Sequence, residues 1–290
     1  MSPHDHCLQR AAARGSSAHY ALMVWPESQR RAMAALHAFW REMEDIVDEC
    51  SDAGVRRRKL QWWREELHRI SSGTAQHPVA AALAEVVQAH RLPMANLEQV
   101  ADGVESALER PSYETFEQLS AYCRRVAGTV GSLESKIAGY ADPRTPQCAG
   151  QLRFAWRLSD ILRGVRRDAR RGRIYLPQDE LRRFGLQDAD LQRETTSQPV
   201  RQLFRFQVER IRRCYSEAVT RLPPVDRYRQ RSGLILAAID QATLDEIERD
   251  GFGLLERRIA LTPLRKLWIA WRIERRERQR GLSNRYVPSP

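Results

Sequence analysis

Apolar residues recur at helical spacing through two segments of this chain, and titratable residues follow the same rhythm about one position out of phase. In the first, Met33, Leu36, Trp40, Met43 and Val47 form one stripe, while His37, Arg41, Glu44 and Asp48 lie about 100° round the helix. In the second, Phe154, Leu158, Ile161 and Val165 make the apolar stripe, and Arg157, Asp160, Gly164 and Asp168 the adjacent one. The spacing predicts two amphipathic helices, over 37–49 and 157–170, which pack on one face and present charge to a shared space on the next. Gly and Pro punctuation, from Pro26 and Gly54 to Pro223 and Pro263, separates further segments of helical period, and strand-like alternation is scarce. The pattern predicts an all-α, single-domain helical bundle around a central cavity. It assigns residues 1–14 to a flexible N-terminus, 15–280 to the domain and 281–290 to a flexible tail. No repeat or low-complexity stretch interrupts it.

Composition changes this picture little. A chain of 290 residues and 33.6 kDa buries one large core. Its five cysteines, Cys7, Cys50, Cys123, Cys148 and Cys214, show neither CxxC nor Cys/His ligand spacing, which fits a reduced, cytoplasmic setting. No signal-peptide pattern is present, and the most apolar run, 79–89, is shorter than the ~20 residues of a spanning helix and contains Glu85.

Charge adds more. The 48 basic and 37 acidic residues leave a net +11. Between Arg265 and Arg280 lie seven basic and two acidic residues, interleaved with Leu267, Trp268, Trp271 and Ile273. A basic amphipathic helix carrying tryptophan fits a peripheral membrane surface, and equally a packed terminal helix with a solvated arginine face. Without a recognisable nucleic-acid-binding signature, arginine content alone does not make nucleic acid a partner.

Several stretches resemble the squalene/phytoene synthase family of head-to-head prenyltransferases: SSAHYA (16–21), WPESQRRAMAALHAFWRE (25–42), YCRRVAGTVG (122–131), DARRGRIYLPQDELRRFG (168–185) and RRIALTPLRKLWIAW (257–271). The wording is similar to that of bacterial members that make presqualene diphosphate for hopanoids. The resemblance implies an all-α fold in which two carboxylate-bearing helices hold Mg²⁺ and a prenyl diphosphate, here of the farnesyl class, with two or three ions in an active site. It implies metal ligation by Glu44 and Asp48 on one helix and Asp160 and Asp168 on the other, with Asp45 and Glu49 behind. It further implies diphosphate contacts from Ser17, Arg41, Arg125, Arg157 and Arg173, and assistance to the chemistry from Tyr122 and Arg41. Gly128 and Gly131 have a second reading that needs no ligand, as small residues at a close helix crossing. No glycine-rich dinucleotide fingerprint is present, but such family members bind NADPH without one, so NADPH stays open.

The departures fall on the site itself. Glu44 stands where the family has aspartate. Where the second motif reads glutamine, asparagine, aspartate and aspartate, this chain has Arg157, Asp160, Gly164 and Asp168, and Arg167 replaces a glutamate. Losing two acids and gaining an arginine changes local charge by about three units, a large change for a magnesium site. Either Asp160 and Asp168 still reach a metal through water, or Arg157, Arg166 or Arg167 neutralise the diphosphate directly. Three functions follow: a condensing prenyltransferase; a catalytically impaired paralogue that binds a prenyl diphosphate or a partner such as another isoprenoid-pathway enzyme; and an unrelated helical adaptor.

Overall fold

The computed structural model describes residues 2–12, 15–48, 52–109 and 112–285, with side chains through Leu282. Among these the chain is helical, without a named strand; Ser112 and Ile174 form an isolated bridge. The first half runs α1 (Pro3–Ala11), α2 (Ser17–Leu22), α3 (Glu27–Asp48), α4 (Ala53–Ser72), α5 (Pro78–His90), α6 (Met94–Glu109) and α7 (Phe116–Cys123). A π-helical turn, Arg124–Gly128, leads into α8 (Thr129–Ala138). Then come α9 (Thr145–Arg170), α10 (Gln178–Arg183), α11 (Asp188–Leu191), α12 (Gln198–Arg221), α13 (Arg231–Arg249) and α14 (Pro263–Arg285).

The two predicted amphipathic helices are α3 and α9, at 22 and 26 residues. Their apolar stripes, Met33 to Val47 and Phe154 to Val165, are buried as the spacing required. The two helices run in the same direction, because His37 and Arg153 meet a common partner while Glu44 meets Arg157 and Asp48 meets Arg167. Side chains bridge the space between them. The floor is set by a close crossing of α8 on α9. A Cβ on Gly131 would lie 2.5 Å from the carbonyl oxygen of Ala149, and one on Gly150 2.9 Å from that of Gly128. These glycines are packing residues, the reading that needs no ligand.

The two ends differ from expectation. Residues 3–11 form a helix, started by a capping box in which Ser2 and Asp5 exchange hydrogen bonds and by Pro3 in its first turn. Cys7 on it is fully buried, and Arg10 pairs with Glu42 and Asp45 of α3. At the other end, α14 continues through 281–285, and residues 286–290 lie outside the described part. Glu49 and Cys50 lie outside it too. Burial pushes the Cys7 and Cys123 thiols up to about 12, so neither supplies a thiolate nucleophile. No helix of the described residues is long and apolar enough to cross a membrane.

Candidate functional site

The space between α3 and α9 is occupied by a guanidinium. Arg157, only 4% exposed, donates from Nη1 to Glu44 Oε1 at 3.0 Å and to Asp160 Oδ2 at 3.0 Å, and from Nη2 to the Tyr122 hydroxyl at 3.2 Å. The rings of Trp40, Tyr122 and Tyr175 stand 5.8–5.9 Å from its central carbon, within cation–π range. Tyr113 stacks on Tyr175 at 6.0 Å and completes a tyrosine trio with Tyr122. Burial alone would favour the neutral form of Arg157, but Tyr122, Glu44 and Asp160 hold its pKa well above the ordinary arginine value. Burial pushes the Glu44 carboxyl up despite Arg157, and pushes the Tyr122 phenol up as well. Burial also acts to raise Asp160, but Arg163 and Arg157 outweigh it and hold that carboxyl below its usual range.

A second, more open layer lies one turn on along α3 and about two turns on along α9. Arg167 donates from Nε to Asp168 Oδ1 at 2.9 Å, and its Nη2 is 3.7 Å from Asp48 Oδ2. Arg173, on the loop after α9, brings Nη1 to 3.8 Å from Asp48 Oδ1, and Arg171 donates to the Asp48 backbone carbonyl at 2.7 Å. Burial raises the Asp168 carboxyl even with Arg167 beside it.

Among the expected site residues, Tyr122, Glu44, Asp48, Arg157, Asp160, Asp168 and Arg173 come together in these two layers. Arg41 lies at their edge, 55% exposed, with Nη1 3.3 Å from Glu44 Oε2. Two do not join them. Arg125, on the π-helical turn, is exposed and its stem lies against Gly103 of α6. Ser17 makes no hydrogen bond to either layer among the described residues. The neighbouring Ser16 caps α2 by accepting from the His19 amide at 3.2 Å.

Other residues of the site were not legible in sequence. Trp40 reads as a core residue, and Tyr175 and Tyr113 sit in loops whose route spacing does not give. Arg163 ties Asp160 to Asp240, which in turn accepts from the Tyr215 hydroxyl at 2.9 Å. Deeper between α3 and α9, His37 Nε2 is 2.6 Å from Glu134 Oε1, with Arg153 Nε 3.4 Å from the same oxygen. Glu134, in GSLESK, carried no signal beyond its acidity. Beside it lies a cavity of about 30 Å³, lined by Trp25, Met33, Glu134, Leu152, Arg153 and Trp156 among others, which is room for about two waters.

Residues 11–265 match the squalene/phytoene synthase family model. The phytoene synthase of Arthrospira platensis is 31% identical over 280 residues, covering 91% of this chain and 90% of that one. The chain belongs to the squalene/phytoene synthase family. A phytoene synthase of Mycobacterium tuberculosis is 30% identical across 91% of this chain and 87% of its own length. Among solved structures, squalene synthase HpnC from Alicyclobacillus acidocaldarius superposes with a TM-score of 0.74 at 25% identity, covering 87% of this chain and 95% of that one. A dehydrosqualene synthase in complex with ligand reaches 0.83 at 21% identity, covering 96% and 97%, a likeness of fold. The family match rules out the unrelated-adaptor reading.

The expected magnesium shelf does not fit this arrangement. Family chemistry places metal between carboxylates of two facing helices, whereas here Arg157 lies between Glu44 and Asp160, and Arg167 between Asp48 and Asp168. A cation as strongly hydrated as Mg²⁺ needs several converging oxygens, and guanidiniums bonded to those oxygens repel it. Among the described residues no group of three His, Cys, Asp or Glu side chains is disposed to hold a metal ion. The reason is in the sequence: Gly164 and Arg167 replace two acids, and Arg157 supplies a cation where the family has a neutral amide.

Proposed function

We propose that this chain binds a prenyl diphosphate of the farnesyl class and is impaired in head-to-head condensation. The observation that carries the reading is the Arg157 bridge from Glu44 to Asp160. Ionising an allylic diphosphate requires the charge growing on its leaving oxygens to be neutralised, and a divalent metal does this as a Lewis acid in a way that a guanidinium does not. The allylic cation then needs a dry, apolar space, and here that space carries Arg157 and, deeper, the His37–Glu134–Arg153 cluster. Small-ligand cavities usually span roughly 300 Å³ or more, so a prenyl chain enters beside Arg153 and Trp156 only by displacing side chains. The testing experiment is incubation with farnesyl diphosphate and Mg²⁺, with and without NADPH, followed by product analysis. Turnover on the order of 1 per second or more overturns the impaired reading.

A second reading keeps condensation to a presqualene diphosphate or squalene-type product. It is favoured by Tyr122, Glu44 and Asp160 meeting around Arg157 and by Asp48 and Asp168 meeting around Arg167, so that a swing of both arginines out of the gap would leave the carboxylates facing one another. The same incubation separates the two.

The proposal extends to a membrane surface on the cytoplasmic side. Leu264, Leu267, Trp268 and Trp271 of α14 are 44–79% exposed and lie on one stripe, followed along the helix by Arg272, Arg275 and Arg278. Both acids of that stretch turn inward: Glu277 is fully buried against Arg227, and Glu274 accepts from Tyr228. The outward face therefore combines exposed tryptophan with uncompensated positive charge, the composition that binds anionic lipid.

A further inference from the structure

The guanidiniums around the paired carboxylates differ in how firmly they are engaged. In the inner layer, Arg157 and Arg163 engage Glu44, Asp160 and Asp240 through contacts of 3.0–3.5 Å, and Arg157 is buried. In the outer layer, Arg167, Arg171 and Arg173 surround Asp48 and Asp168, three positive charges against two negative, and Arg41 stands at the rim, 3.3 Å from Glu44. The contacts of this layer to the Asp48 carboxylate are loose. At 3.7 and 3.8 Å they lie beyond hydrogen-bonding distance, so Arg167 and Arg173 meet Asp48 through charge alone. Arg173 Nη1 is buried without a hydrogen-bond partner, and Arg167 is half exposed at 51%. The layer thus has unused N–H donors, an excess of one positive charge and an opening to solvent.

We propose that the outer layer is a metal-independent diphosphate clamp. Arg167 and Arg173, with Arg41 at the rim, take the diphosphate oxygens directly, and Asp48 gives up its loose contacts. Arg157 stays in place as the fixed counter-ion of Glu44 and Asp160. Guanidinium binds phosphate oxygens bidentately without a metal bridge, and an outer layer with net positive charge attracts a dianion and repels Mg²⁺. Binding and ionisation are thereby separated: the clamp supplies affinity for the head group without the Lewis acid that would break its carbon–oxygen bond. This rests on the reading of the chain as a prenyl-diphosphate binder and names how that binding works.

The test is calorimetric titration of the full chain with inorganic pyrophosphate and with farnesyl thiodiphosphate, which resists ionisation, once in EDTA and once in excess Mg²⁺. The expected result is binding in EDTA that excess Mg²⁺, which competes for the diphosphate oxygens, does not tighten, with a Kd in EDTA that weakens by about tenfold or more in Arg167→Gln/Arg173→Gln. Arg182→Gln, at an exposed pair with Glu114, serves as the comparison and leaves Kd unchanged. Binding that requires Mg²⁺ overturns metal independence and leaves the prenyl-diphosphate reading standing; absence of binding in both buffers overturns that reading and the clamp with it. Unchanged affinity in the double variant overturns the assignment of the two arginines. Circular dichroism checks the fold, and if the double variant unfolds, the half-exposed Arg167→Gln alone is read by the same criterion.

Discussion

Arg157 and Glu44, 113 positions apart in sequence, share a 3.0 Å hydrogen bond with both side chains more than nine-tenths buried. A bond of this kind between α9 and α3 is a structural tie as much as a feature of the site. Removing one partner leaves a buried, uncompensated charge, which costs on the order of 3–5 kcal/mol. Arg157→Ala is therefore expected to lower Tm by on the order of 10 °C in a scanning melt. The double variant Arg157→Met/Glu44→Gln, which removes both charges and keeps volume, recovers most of the loss. An unchanged Tm in Arg157→Ala would mean that the bridge contributes nothing to the fold.

The Glu134 cluster gives a pH dependence with a definite sign. Burial acts to raise this carboxyl, but Arg153 and the hydrogen bond from His37 overcome it and hold it below its ordinary value of 4.5. A group depressed in the folded state stabilises above its unfolded pKa, and that stabilisation is lost as pH falls through the folded value. Glu134→Gln is therefore more damaging near pH 7 than near pH 4, which urea melts at the two pH values measure. An equal loss at both would show that the carboxylate is not held ionised by its partners.

How much of this was legible in the sequence depends on the reach of the interaction concerned. The buried stripes of α3 and α9 followed from spacing, because one face of a helix is a local property. His37 and Glu44 lie on the expected charged stripe and are nevertheless buried, because their partners, Glu134 and Arg157, arrive from other helices. Position in the helix gives the direction of a side chain, not what meets it. The N-terminal helix is a different case, since Ser2, Pro3 and Asp5 spell a capping box that was readable and was outweighed by its place at the chain end. The π-helical turn on which Arg125 stands exposed has no sequence signature in RRVAG, so its place in the fold carried no local signal.

Asp48 and Asp52 separate the clamp from a metal site. Asp52 caps α4 by accepting from the Val55 amide at 2.7 Å, so Asp52→Ala costs about 1 kcal/mol of stability and leaves ligand binding unchanged. Asp48→Ala frees Arg167 and Arg173 and removes one negative charge from the outer layer, so pyrophosphate binding in EDTA tightens, by severalfold in a calorimetric titration. If Asp48 instead served as a magnesium ligand, the same substitution would weaken Mg²⁺-dependent binding.

The α14 surface is tested by vesicle sedimentation. Trp268→Ala/Trp271→Ala removes exposed rings and Arg275→Gln/Arg278→Gln removes outward charge, and none of the four side chains is part of the buried face of the helix. Each Arg near an anionic surface contributes about 1 kcal/mol, so the double arginine variant binds phosphatidylserine vesicles about 30-fold more weakly at low salt. Binding that is absent in the parent chain, or indifferent to salt, removes the membrane assignment.

The altered second motif gives the most demanding test. A Cβ on Gly164 would lie 3.0 Å from Arg167 Nη2 and 3.0 Å from Asp168 Oδ2, so an aspartate there meets the end of the arginine it has to coexist with. Gly164→Asp alone gains a salt bridge to Arg167 but places a third carboxylate beside Asp160 and Asp168, and aspartate is only slightly better than glycine inside a helix, so the substitution leaves stability within about 0.5 kcal/mol of the parent and does not open the site. Replacing Arg167 by Glu at the same time removes the cation from between Asp48 and Asp168, and Arg157→Gln with Asp160→Asn clears the gap to Glu44 and restores the family wording. The quadruple variant is therefore expected to bind Mn²⁺, read by paramagnetic resonance, and to consume farnesyl diphosphate in a Mg²⁺-dependent reaction well above the parent. Gain of metal binding without gain of turnover would locate the remaining defect deeper between α3 and α9, at the His37, Glu134 and Arg153 side chains. No gain in either would show that the arginines are not what keeps the metal out, and the clamp would lose its physical basis.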